Sequence, residues 1–167
     1  MAPRVLISDA LSAAAIAIFK ERGVEVDFQP ALGKDKDKLS AIIGDYDGLA
    51  IRSATKVTAD ILAKAERLRV IGRAGIGVDN VDIAAATARG VIVMNTPFGN
   101  SITTAEHALA MMFALARQIP AADASTQAGK WEKNRFMGVE ITGKVLGVIG
   151  CGNIGAIVAD RALGLKM

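Results

Sequence analysis

Along the first half of the chain, short apolar runs alternate with stretches whose apolar residues recur at helical spacing. Arg4-Val5-Leu6-Ile7 reads as a strand, and Ser12 to Glu21 as an alanine-rich helix closed by Gly23. Val24 to Phe28 is the next strand. The charged run from Gly33 to Lys38 (GKDKDK) mixes signs and reads as solvated loop or helix-start surface. Leu39 to Ile43 is a short helix, and Gly48 to Ile51 a strand ending at Arg52. Thr58 to Glu66 is helical, with Asp60 and Lys64 at i,i+4 pairing distance. Val70-Ile71 is a strand, Asn80 caps a helix from Val81 to Ala88 that Gly90 ends, and Val91 to Met94 is a fifth strand. This alternation predicts an α/β fold with a parallel sheet covered on both faces.

The pattern changes at NTPFGNSITTAEHALAMMFALARQIP. Pro97 and Gly99 punctuate a loop, so the first domain is expected to end there, over residues 1–98. Residues 99–167 then hold a hinge, a long helix, an arm and the opening of a second domain. Thr103 and Glu106 have capping-box spacing, and the apolar helix they open runs to about Arg117. A second helix (Ala121 to Ala128) and an irregular arm, GKWEKNRFMGVEITG, lead to an expected strand from Val145 to Ile149.

Composition narrows the class. Apolar residues make up 51% of the 167 positions but aromatics only 4%, which suits helices packed closely on a sheet through alanine and glycine. The net charge of +3 is spread along the chain rather than clustered, so no nucleic-acid footprint is expected. The runs LSAAAIAIF and ALAMMFALA fall short of the roughly 20 residues of a membrane span, and the N-terminus does not read as a signal peptide. Cys151 is the one cysteine, so no disulfide framework exists and a reducing, cytoplasmic setting is expected.

The candidate chemistry sits at the end of the expected strand. Gly150-Cys151-Gly152-Asn153-Ile154-Gly155 matches G-x-G-x-x-G between an apolar strand and a helical pattern. Gly150 takes the tight turn, Gly152 admits a pyrophosphate close to the backbone, and Gly155 lets the helix approach the strand. The helix N-terminus then faces the phosphates. A glycine-rich corner that binds nothing is the plain alternative, and Cys151 reads as a space filler rather than a redox centre. The sole histidine, His107, falls on the apolar helix and reads as a packed or interface residue rather than a base. No metal site is expected.

RSATKVT (Arg52 to Thr58), GRAGIGVDN (Gly72 to Asn80), NTP (Asn95 to Pro97), GNS (Gly99 to Ser101), ARQIP (Ala116 to Pro120), GKWE (Gly129 to Glu132) and FMG (Phe136 to Gly138) resemble the NAD-dependent D-2-hydroxyacid dehydrogenases. RSATKVT, GNS and GKWE point to the branch that oxidises 3-phosphoglycerate to 3-phosphohydroxypyruvate, the opening step of serine biosynthesis. The resemblance covers the whole chain and implies a flavodoxin-like substrate domain with a parallel sheet, followed by the start of a Rossmann NAD-binding domain. Members of the family are at least about twice this length, so the chain corresponds to their first part.

Carried over by position, Arg52 matches the arginine that binds the substrate phosphate and Asn100 an asparagine beside it. Arg73, Gly75 and Gly77 match a loop that faces the substrate, and Ile76 stands where many relatives place a threonine touching the cofactor. Gly150, Gly152, Asn153, Ile154 and Gly155 match the cofactor-phosphate turn; position 153 is often arginine in relatives. Lys133 matches a basic residue that in some members reaches the neighbouring subunit. The resemblance further implies that the catalytic arginine, glutamate and histidine lie downstream, and that the enzyme is a homodimer or homotetramer. The 167-residue chain alone is then expected to be inactive. On the residues alone, Arg52 reads first as a surface ion-pair partner, Asn100 as a helix-entry residue, and the GRAGIG glycines as turn makers. A glyoxylate or hydroxypyruvate reductase, an inactive dimerising fragment and an NAD-sensing corepressor-like module are the competing readings.

Overall fold

The structure is a computed structural model that describes residues 2–167. It divides into two compact units, Met1–Gly99 and Asn100–Met167.

The first unit is built on a parallel sheet of β1 (Arg4–Ile7), β2 (Glu25–Phe28), β3 (Gly48–Ile51), β4 (Val70–Arg73) and β5 (Ile92–Met94), in the order β2-β1-β3-β4-β5. This is the flavodoxin-like order, in which the chain leaves β1 to one side and returns on the other. Register runs Val5↔Gly48 and Gly48↔Val70, so Ile51 stands beside Arg73 at the carboxyl ends of β3 and β4.

Helix α1 (Ala13–Glu21) is capped by Ser12, whose hydroxyl accepts the Ala15 N–H. The charged run splits: Leu32–Lys34 forms a 3-10 turn, and Asp35 caps α2 (Lys36–Ile42) by accepting the Lys38 N–H at 3.1 Å. Helices α3 (Ala59–Lys64) and α4 (Ile83–Ala88) complete the unit.

The two faces of the sheet are unequal. Leu6, Leu49, Ile51, Ile71, Ile61 and Leu62 lie in one extensive buried core on the face covered by α2, α3 and α4. On the other face Val5, Ile7 and Ala50 pack under Ile16 and Phe19 of α1. Beyond α1 that face opens into a 460 Å³ groove over Gly72 and Met94.

Several expected local contacts are replaced by others. Asp82, not Asn80, caps α4 by accepting the Ala85 N–H at 2.9 Å, because the chain bridges Val57 to Val81 before turning helical. Asn80 is drawn instead to the carbonyls of Arg52 and Thr55. Asp60 pairs with Lys36 of α2 at 3.1 Å rather than with Lys64.

In the second unit, α5 (Ser101–Ala116) is followed by α6 (Ile119–Gln127), whose first turn holds Pro120, and by α7 (Asn153–Gly164). Helix α5 begins two residues before the expected capping box, and Glu106 reaches across to Arg161 of α7 instead of back to the helix start. Val145 to Ile149 is not a strand: among the described residues no neighbouring strand offers it a ladder, and Val145 and Ile149 are fully exposed. Cys151 is exposed and fills no space. No helix among the described residues is long and apolar enough to cross a membrane.

Candidate functional site

In a sheet of this order the loops after β1 and β3 diverge, leaving a crevice at the carboxyl ends of the strands where ligands of such folds bind. Arg52 is the first residue after β3 and is exposed at that edge. Its backbone N–H donates to Asp9 Oδ2 at 2.5 Å, and its Nη1 reaches the Ala10 carbonyl at 3.4 Å. The Thr55 N–H donates to the same Asp9 oxygen at 3.2 Å. Asn80 Nδ2 donates to the carbonyls of Arg52 and Thr55, both at 2.7 Å. The loop carrying Arg52 is therefore pinned from β1 and from the loop after β4.

Arg73 ends β4 one strand over. It is half-buried, and its Nε is buried without a hydrogen-bond partner. The guanidinium lies over Gly75, where a Cβ would overlap Nη1 and stand 2.8 Å from Cζ. Gly75 is thus needed for space. At Gly77 a Cβ would meet Asp79 Oδ1 at 2.9 Å. The Gly75 carbonyl accepts the Thr96 N–H at 2.9 Å and the Ile76 carbonyl accepts Asn95 Nδ2 at 2.7 Å, so this loop is tied to the segment after β5. Arg52 and Arg73 share one edge of the sheet, each on an anchored loop. Guanidinium groups there supply forked donors for a phosphate or carboxylate.

On the second unit, Asn100 precedes α5 without using its side chain as a cap, leaving the amide free for other partners. Lys133 is exposed in the 3-10 turn Lys133–Arg135, beyond the exposed Trp131. His107 is exposed on α5 rather than packed.

The glycine turn is formed although its strand is not. Gly150 has φ +90°, open to glycine at little cost. Gly152 precedes α7, and a Cβ built on it meets nothing within 4 Å, so the space beside the helix N-terminus is free for a ligand. A Cβ at Gly155 would overlap the Gly150 carbonyl oxygen and approach Val148 Cγ1 to 3.3 Å. The turn can close onto the helix only with glycine there. Asn153 is exposed at the first position of α7, Ile154 is half-buried, and no side chain caps the helix's free N–H groups. This arrangement fits a dinucleotide pyrophosphate.

Asp9 and the second role of Asn80 are not legible from sequence patterns. The available signal for Asp9 is a carboxylate placed two residues after an apolar strand, where only a partner for buried N–H groups makes it tolerable.

The family model for the catalytic domain of D-isomer specific 2-hydroxyacid dehydrogenases matches residues 5–160. The chain is 47% identical over 164 residues to a D-3-phosphoglycerate dehydrogenase of Archaeoglobus fulgidus, covering 98% of this chain and 31% of that protein. It is 51% identical over 165 residues to the human D-3-phosphoglycerate dehydrogenase, again covering 31% of it. The chain thus spans about a third of the length of the curated relatives it matches. Among solved structures, the TT0316 protein of Thermus thermophilus superposes with a TM-score of 0.89 at 34% identity, covering 98% of this chain and 54% of that one. An NAD-dependent formate dehydrogenase from Staphylococcus aureus, solved with NAD, gives 0.84 at 25% identity over 98% of this chain and 54% of its own.

Proposed function

Because the chain belongs to the D-isomer specific 2-hydroxyacid dehydrogenase family, we propose that it acts as the N-terminal part of an NAD-dependent D-3-phosphoglycerate dehydrogenase. The observation that carries this reading is the exposed Arg52 on a loop held at both Asp9 and Asn80, beside Arg73 at the same sheet edge. Roughly 50% identity to relatives of that name supports the substrate. Arg52 in its RSATKVT setting favours a phosphorylated acid, and its planar, permanently charged guanidinium matches phosphate geometry.

The reaction removes the hydride from C2 of 3-phosphoglycerate and the proton from its hydroxyl, giving 3-phosphohydroxypyruvate. When bound, NAD accepts the hydride. This chain's residues bind and orient: Arg52 holds the substrate phosphate, and the family resemblance assigns Asn100 to the substrate as well. Arg73 and the backbone of Gly75 and Gly77 face the substrate carboxyl end. Gly150, Gly152, Asn153, Ile154 and Gly155 hold the dinucleotide phosphates against the start of α7, and the family resemblance assigns Ile76 to the cofactor. The base that takes the hydroxyl proton is assigned to the part of the relatives that this chain does not cover, and not to His107, which is exposed on α5. The same reading assigns residues 1–98 to the substrate domain and 99–167 to hinge, dimer helix, arm and cofactor corner. A cytoplasmic setting is supported by the single cysteine.

A homodimer or homotetramer is part of the proposal. Leu115 and Trp131 are 82% and 85% exposed, an apolar surface for a second copy, and Lys133 beyond Trp131 is placed to reach it. Sedimentation of the full-length protein tests this; a monomer at micromolar concentration overturns it.

The function is tested by Arg52→Ala in the full-length enzyme. Loss of a charged hydrogen-bonding pair costs roughly 1.5–3 kcal/mol, seen as a higher KM for phosphoglycerate with NAD affinity unchanged. An unchanged KM overturns the assignment.

A further inference from the structure

Arg52 is exposed, and a free arginine side chain spends its selectivity on rotamer entropy unless its backbone is fixed. The fixing group is Asp9. It is 3% exposed at the end of β1, and its Oδ2 accepts the N–H groups of both Arg52 and Thr55. Its Oδ1 is buried with no partner. Beside it the hydroxyls of Ser8 and Thr55 share a hydrogen bond of 2.8 Å. Gly33 closes the nest: its N–H donates to the Ser8 carbonyl at 2.9 Å, and a Cβ there would overlap Thr55 Oγ1 and stand 2.5 Å from Asp9 Oδ1. An acid with one buried oxygen unpaired is a costly way to close a turn. Its placement on the backbone of the phosphate arginine gives that cost a use.

We propose that Asp9 is a positioning residue for phosphate recognition: by clasping the N–H groups of Arg52 and Thr55 it sets where the Arg52 side chain begins at the β1/β3 crevice, with Gly33 leaving the room the clasp needs. This rests on the reading of Arg52 as the phosphate-binding arginine.

The test compares two substrates in the full-length enzyme, 3-phosphohydroxypyruvate and unphosphorylated hydroxypyruvate, with NADH. Asp9→Ala raises KM for the phosphorylated substrate roughly ten- to a hundredfold. Its kcat stays within about threefold, and kcat/KM for hydroxypyruvate stays near the parent value. Asp9→Asn keeps an oxygen where Oδ2 sits and restores most of the lost affinity. Gly33→Ala, which crowds the clasp from the other side, reproduces the phosphate-specific loss. If Asp9→Ala does not fold, judged by thermal melting and NAD binding, Asp9→Asn and Gly33→Ala still decide. Equal losses on both substrates make Asp9 a purely structural residue and overturn the proposal. A phosphate-specific loss in Arg52→Ala without one in the Asp9 and Gly33 variants overturns the clasp alone. No phosphate-specific loss in Arg52→Ala overturns the reading of the arginine itself.

Discussion

The two units hold their binding residues by different means. In the first, Leu6, Ile51, Ile61, Leu62 and Ile71 are wholly buried, and the site loops hang from the ends of hydrogen-bonded strands. In the second, the buried apolar residues among those described are Ala105 and Ala162, while Val145, Ile149 and Leu163 stand open. Arg52 is thus placed by a packed core and a buried carboxyl, whereas the glycine turn is placed by backbone conformation and by α7 leaning on α5. A glycine motif needs only local sterics to form its corner. A side chain aimed at a ligand needs a sheet behind it.

The sharpest test of that contrast substitutes leucines. Leu62→Ala removes a fully buried side chain from the first unit and is expected to cost about 2–5 kcal/mol in urea unfolding of the 167-residue chain. Leu163, 69% exposed on α7, should change stability by no more than about 0.5 kcal/mol when replaced by alanine. Similar losses at the two positions would abolish the distinction between a cored and an uncored unit.

Gly155→Ala probes the second unit by sterics alone. Its Cβ would overlap the Gly150 carbonyl, so the turn must open before α7 can seat. NAD affinity of the full-length enzyme should fall roughly tenfold or more, about 1.4 kcal/mol, with the substrate KM little changed. Gly152→Ala makes the control: its Cβ meets no protein atom, so any loss there measures the ligand's own approach. Wild-type NAD affinity in Gly155→Ala would mean the turn is not where the pyrophosphate sits.

The legibility of the sequence divides along the same line. Strand and helix alternation set the parallel sheet, since period and glycine punctuation are local signals, and β1 through β5 lie where the apolar runs are. The corner at Gly150 is likewise local. What cannot be read depends on partners distant in the chain. Asp9 is coupled to residues more than forty positions away, at Arg52 and Thr55. Asn80 has the composition of a cap, yet carbonyls on another loop claim its amide. Val145 to Ile149 has the composition of a buried strand, but a strand exists only with a neighbour. Glu106 has the spacing to bond its own helix start, yet Arg161 of α7 holds it instead.

Alkaline pH separates the units by titration. Tyr46, the one tyrosine of the chain, is buried in the first unit, where its hydroxyl donates to Asp27 and its ring lies 4.7 Å from the Arg4 guanidinium. Burial, and then the Asp27 hydrogen bond, push its pKa up to about 12. The folded state therefore holds this proton more tightly than the unfolded chain, whose tyrosine titrates near 10. The stabilisation is complete below that value and is lost as pH rises through the window toward 12. Unfolding midpoints should fall across that range, and Tyr46→Phe should flatten the slope. A slope unchanged in the phenylalanine variant would assign the alkaline loss to other groups.

The smallest effect expected is at the ion pair of the second unit. Arg161 Nη1 lies 2.7 Å from Glu106 Oε1, joining α7 to α5, with side chains 34% and 59% exposed. Water and salt screen such a pair, and two long side chains must be ordered to make it, so its coupling energy should be about 0.2–1 kcal/mol. A double-mutant cycle of Glu106→Gln and Arg161→Gln measures that coupling directly, because each single change also alters solvation. Raising ionic strength from low to near-molar salt should shrink it further, as the screening length falls to about 3 Å. With Ala105 and Ala162 the buried apolar residues described in this unit, a coupling well above 1 kcal/mol that survives salt would show electrostatics holding the second unit together. The units would then differ in the kind of force that holds them, not only in how much core each has.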